Sequence, residues 1–96
     1  MARAGIVSVP KRTVTQLTNA DVAGDITFQH IRGDVARVIG TTTATAPSVA
    51  DFDNGVRYQQ LEGERGTTLA ALFPGASYVR LWAYTTDGAA FVVYHA

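Results

Sequence analysis

The sequence predicts an all-β fold: a single-domain antiparallel β-sandwich or jelly-roll-like barrel with one short helical turn. Three observations carry that prediction. About seven short stretches rich in β-branched and aromatic residues recur at roughly 8- to 12-residue spacing, the rhythm of a sandwich. Gly, Pro, Asn and Asp occupy the joints, where turns need their backbone freedom or short polar side chains. The chain closes on RLWAYTTDGAAFVVYH, Arg80 to His95, with apolar residues alternating on either side of Asp87-Gly88. That pair suits a two-residue type I′ turn and is the strongest short-range hairpin signal.

Residues 1–12 read as a basic N-terminal arm ahead of a β-sandwich domain at 13–96. Arg3, Lys11 and Arg12 carry the arm's charge with no acid before Asp21, and Pro10 interrupts strand pairing. Next, TVTQLT sets Val14 and Gln16 against Thr13, Thr15 and Leu17, and ITFQHI puts Ile26, Phe28 and His30 on one face. Gly33-Asp34 makes a tight connection into VARVIGTTTAT, whose threonine run suits a strand with a hydroxylated outer face, and Pro47 stops it.

APSVADFDNG reads as a loop, with Asn54-Gly55 turning the chain into VRYQQLEGE. TTLAALFPG reads as a single helical turn, capped by Thr67 or Thr68 and stopped by Pro74-Gly75. Leu69, Leu72 and Phe73 have the spacing to close one end of a sandwich. The final hairpin pairs Thr86 with Ala89, Tyr84 with Phe91, Trp82 with Val93 and Arg80 with His95; alternate positions pair Ala83 with Val92 and Leu81 with Tyr94. Neither face is polar. A sheet normally buries one face and wets the other, so the second face requires a cover from the same chain or from another copy.

With 96 residues the chain is one domain with a small core, burying roughly 60 to 70% of its unfolded surface. Eight basic and eight acidic residues cancel, and a pI near 6.7 gives no electrostatic reason to expect nucleic acid or a membrane surface. The cations are seven Arg and one Lys, a skew that fits either interface use or genomic base composition. The absence of cysteine excludes disulfides, thiolate metal sites and cysteine nucleophiles, and small domains without such staples lean on oligomerisation. No run of about 18 apolar residues could span a membrane, and MARAGIVSVPKR lacks a signal peptide's apolar segment. The chain is thus expected to stay where it is made or to leave inside a larger particle.

His30 and His95 are the candidate catalytic bases, but the sequence supplies neither with an orienting partner. Ser8, Ser48 and Ser77 lie outside any strained-turn nucleophile motif. Asp51, Asp53 and Asn54 in DFDNG resemble the start of a calcium loop, yet Glu62 and Glu64 miss the required twelfth position, and a turn built on Asx side chains accounts for them. No phosphate-cradling G-x-x-x-x-G-K occurs. Tyr78, Trp82, Tyr84 and Phe91 have faces that could stack on sugars or bases, but Arg80 is the hairpin's only cation, so core and interface roles fit them better. The expectation is a protein with no catalytic residue, no cofactor and no metal.

Four motifs connect the chain to a known group: Thr15-Gln16-Leu17-Thr18-Asn19, Ile26 to Gln29, Leu69 to Gly75, and Trp82-Ala83-Tyr84 with Val93 to Ala96. In these it resembles small proteins encoded in tailed-bacteriophage genomes. The resemblance implies a virion component similar to capsid decoration, or cement, proteins, which sit at symmetry axes as trimers and clamp neighbouring capsomers. It implies a non-enzymatic protein on the capsid surface, a homotrimer with the major capsid protein as partner and no nucleic acid or membrane. Arg3, Lys11 and Arg12, in the arm outside the resemblance, are the expected capsid contacts. Arg80, Trp82, Tyr84, Phe91 and Val93 are the expected oligomer interface. The alternative reading is a carbohydrate-binding module of a phage tail fibre or tip.

Overall fold

Alternating apolar positions and Gly or Pro breaks divide the chain into eight strands in the computed structural model, which describes residues 2–96. They are β1 (Arg3–Val9), β2 (Thr15–Gln16), β3 (Asp25–Gly33), β4 (Ala36–Thr41), β5 (Val56–Tyr58), β6 (Gly63–Thr68), β7 (Arg80–Thr85) and β8 (Ala89–His95). A first sheet has the order β1-β8-β3-β6 and a second β2-β7-β4-β5, every neighbouring pair antiparallel. Only the β4–β5 connection stays within one sheet; every other connection crosses between sheets. This is the sheet order of an eight-stranded jelly roll, a sandwich built from two Greek keys.

Inward residues at period two fill the space between the sheets. Val7, Val9, Ile26, Phe28, Phe91 and Val93 come from the first sheet, and Ala36, Val38, Tyr58, Leu81 and Ala83 from the second. Phe28 meets Tyr58 edge-on at 5.2 Å between ring centres. The one-turn helix α1 (Leu69–Leu72) begins at Thr68, whose hydroxyl accepts the Ala71 N–H at 3.1 Å. It buries Leu69, while Leu72, Phe73 and Tyr78 pack partly buried against the same core. The end plug expected from TTLAALFPG is therefore in place.

The last two strands depart from the expected hairpin. β7 lies between β2 and β4 in the second sheet, and β8 between β1 and β3 in the first, so the two never pair. Val93 faces Gly5 and Phe28, and His95 faces Arg3 and Ile26 rather than Arg80. The backbone explains the difference: a type I′ turn needs positive φ at both central residues, and only Gly88 has it, at 96°. Asp87-Gly88 instead turns a corner from one sheet to the other.

The N-terminal segment also differs from a free arm. Arg3–Val9 pairs with β8 over all seven residues, in continuous register from Arg3 opposite His95 to Val9 opposite Ala89. Val7 and Val9 point into the core, which is what ties this stretch down. Pro10 marks the strand's end, and only Lys11 and Arg12 remain as an exposed charged turn. Two-residue β2 is all that forms from TVTQLT.

Candidate functional site

Each face of β7 is covered by this chain itself. Leu81, Ala83 and Thr85 face the core. On the outer face, Trp82 donates its indole N–H to the Thr41 hydroxyl at 2.8 Å, and Tyr84 lies against Phe52 at 5.7 Å between ring centres. Phe52 belongs to a 3₁₀ turn, Val49–Asn54, within the stretch expected to be a loop. The Ser48 N–H donates to the Asp51 carboxylate at 2.9 Å and the Gly55 N–H to the Phe52 carbonyl at 2.9 Å, which closes this turn, and the Arg37 guanidinium on β4 donates to the Asp53 carbonyl at 3.3 Å, which ties it to the sheet. Asp51, Asp53 and Asn54 thus build a structural turn. Gly55 is close-packed: a Cβ there would sit 3.0 Å from Cβ of Arg37.

These placements correct most of the expected oligomer interface. Phe91 and Val93 are fully buried in the core and cannot touch a neighbour. Trp82 is buried under its own chain, and Tyr84 is half-buried. Arg80 is half-buried with its Nε 2.7 Å from the carboxylate of exposed Asp21, a pair of the surface kind that contributes about 0 to 1 kcal/mol. Of the expected capsid contacts, Arg3 is half-buried at the start of β1, and Lys11 and Arg12 are exposed at its end.

Both histidines are buried and make their hydrogen bonds to backbone atoms. His30 is fully buried on the core face of β3, edge-on to Phe91 at 5.2 Å. Its Nε2 carries the hydrogen and donates to the Asp34 carbonyl, since a carbonyl can only accept. His95 Nε2 lies 3.4 Å from the Asn19 N–H, and its Nδ1 donates to the Ala96 carbonyl at 2.9 Å. No side-chain carboxylate or hydroxyl is hydrogen-bonded to either ring among the described residues. Among them, too, no three His, Asp or Glu side chains gather as metal ligands do. Among the described residues, no helix is long and apolar enough to cross a membrane.

Among the described residues, three of the five exposed large apolar side chains belong to the first sheet's side, the other two being Val49 in the 3₁₀ turn and Val56 on β5. Ile6 on β1 is 58% exposed, Tyr94 on β8 51%, and Leu61, in the turn before β6, 69%. Ala4 faces Tyr94 and Ile6 faces Val92 across the β1–β8 pair, so Ile6, Val92 and Tyr94 share one patch. Tyr94, Val92 and Leu61 line a shallow depression of about 370 Å³ together with Thr27, Gln29 and Glu64. Leu61 is held there with φ at 74°, its N–H donating to the His30 carbonyl at 2.6 Å and its carbonyl accepting from Gln29 at 2.9 Å. A second depression, about 220 Å³, lies beside the 3₁₀ turn and is lined by Arg37, Asp53, Tyr84 and Thr86 among others.

Sequence reasoning missed the apolar face because it placed β7 and β8 in one sheet, which assigned the wrong residues to the outside. The signal was present in β8: once Phe91 and Val93 are core, Val92 and Tyr94 must be outside. Compared with family models, curated proteins and solved structures, the chain matches none.

Proposed function

We propose that this chain is a non-enzymatic structural component of a phage virion, a decoration protein that binds the major capsid protein and stabilises the shell. The carrying observation is the exposed apolar face of Ile6, Tyr94 and Leu61 on an otherwise well-packed sandwich, because rimmed apolar patches of this kind mark protein-binding surfaces. Fold alone does not set function. The resemblance to tailed-phage proteins supplies the partner, and jelly rolls serve in viral capsid and lectin domains alike. On this reading the first sheet's outer face sits against capsomers, and Lys11 and Arg12 supply charged contacts at its margin. The homotrimer that the resemblance implies would have to use a surface other than Phe91 and Val93.

Two measurements test the proposal. Quantitative mass spectrometry of purified virions should give a copy number near one per major capsid chain; absence from the particle would end the reading. Purified chain added to capsids that lack it should bind, and Tyr94→Lys or Leu61→Lys should weaken binding at least about tenfold, the equivalent of about 1.4 kcal/mol. The glycan-binding alternative has one feature in its favour, the Arg37, Asp53 and Tyr84 depression, since sugars are held by an aromatic face and paired polar groups. A few copies per virion, with saccharide-induced chemical shifts at Tyr84, would favour it.

A further inference from the structure

The four sheet edges are not equivalent. β2 is two residues long and β5 three, too short to template another strand. β6 carries Glu64 and Arg65, pairs with β3 through a register shift, and has Gly66 at φ 57° with its N–H turned back to the Thr27 hydroxyl at 2.8 Å. Short length, charge and bulges are the devices by which proteins blunt their edges. β1 has only one charge, Arg3 at its first residue. Its residues Ala4 to Val9 contain no charge and no proline, and its register with β8 has no shift. Among the described residues, no hydrogen bond outside the β8 ladder involves the backbone of Arg3–Val9.

We infer that the free edge of β1 pairs antiparallel with β1 of a second copy, about a twofold axis through Ile6, to make one continuous eight-stranded sheet. The inference goes beyond the capsid reading and holds for the isolated chain. Antiparallel pairing of a strand with itself is self-complementary, as an isologous contact requires. Centring on Ile6 is the one register that overlaps all seven residues: Ile6 faces Ile6, Ala4 faces Ser8, Gly5 faces Val7 and Arg3 faces Val9. On the outer face a single large pair is flanked by small residues, so nothing clashes. Each Arg3 lies at opposite ends of the paired strands, which keeps like charges apart.

The area is sufficient for a specific dimer. Two sandwiches abutting along a strand of about 24 Å, across a body 20 Å thick, cover on the order of 500 Å² each, about 1,000 Å² in all, at the lower bound for a specific interface. A reversible dimer is therefore the expected form.

The absence of native cysteine makes the test direct, because one introduced thiol is unique. Opposed residues in an antiparallel pair have Cα atoms about 4.5 or 5.5 Å apart, both within disulfide range. Ile6→Cys should cross-link with its own kind at least about tenfold faster than Ala4→Cys or Ser8→Cys alone, whereas an equal mixture of the latter two should cross-link to each other. Light scattering on the unmodified chain should rise with concentration from 10.2 kDa to about 20 kDa. Ile6→Lys should return it to the monomer mass with an unchanged circular dichroism spectrum. A mass of one chain at every concentration, a trimer mass, or equal cross-linking by all three single variants would overturn the twofold. A dimer that fails to bind capsids would sink only the decoration reading.

Discussion

Gly33 and Gly88 meet where two chain crossings pass between the sheets. The Asp34 N–H donates to the Gly88 carbonyl at 2.9 Å, and a Cβ on Gly33 would collide with that carbonyl and with Cα of Ala89. Both glycines have positive φ, 98° and 96°. The β3–β4 corner therefore closes on the β7–β8 corner only because Gly33 carries no side chain, whereas a Cβ on Gly88 would meet nothing nearer than the Val9 carbonyl at 3.8 Å.

Gly33→Ala should thus be destabilising by about 3 kcal/mol, combining backbone strain with a collision against main chain that cannot move aside. Gly66→Ala is the control. At φ 57° it meets the strain alone, because nothing lies within 4 Å of the added methyl, and should cost about 1 kcal/mol. Urea unfolding of both variants measures the difference; equal losses would mean that the corner contact contributes nothing.

Thr41→Val keeps the shape of the residue but removes the acceptor of the Trp82 indole N–H. A buried donor left without a partner costs about 1 to 3 kcal/mol. Trp82→Ala should cost more, about 3 to 5 kcal/mol. Because the cover over Trp82 comes from its own chain, both losses should be independent of protein concentration. A loss that shrinks on dilution would place Trp82 at an interface between copies.

Phe52→Ala should remove the cap from the outer face of β7. Phe52 is buried and its ring packs against Tyr84, so about 3 kcal/mol should be lost. Tyr84 should gain solvent exposure, read as a rise in its accessibility to acrylamide quenching or iodination. Unchanged Tyr84 reactivity would show that the 3₁₀ turn stays seated without its anchor.

What was legible in the sequence was local. The spacing of Ile26, Phe28 and His30 gave a buried face, and all three are buried. Thr68 ahead of Leu69 gave a capped turn that closes the core. The Gly and Pro joints with short β stretches gave the sandwich. What was hidden depends on pairing between distant residues. Arg3 lies opposite His95, a partnership no window of neighbouring residues can reveal, and it converts a supposed arm into an edge strand. Alternation around Asp87-Gly88 is equally consistent with a hairpin and with a corner between sheets; long-range partners for β7 and β8 decide it. Phe52 was masked by Asp, Asn and Ser neighbours that also suit a turn. The candidate surface fell with the same error, because inside and outside on β8 exchange when its sheet is changed.

The Tyr58 hydroxyl ties the second sheet to the first and should give the fold an alkaline limit. Burial holds its pKa well above the ordinary value of 10.0, and Glu64 adds repulsion toward the phenolate while accepting its hydrogen bond at 3.2 Å. The folded chain keeps this proton after the unfolded chain has released it. Its contribution to stability is therefore complete below pH about 10 and is lost as the pH rises toward the raised folded value, at up to about 1.4 kcal/mol per pH unit. Tyr58→Phe should be less stable than the parent at pH 8, through loss of the hydrogen bond. The two stabilities should converge between pH 10 and 11, because the variant has no proton to lose. Urea unfolding across pH 8 to 11 measures this, and a gap that stays constant would mean that Tyr58 titrates no differently in the folded and unfolded chains.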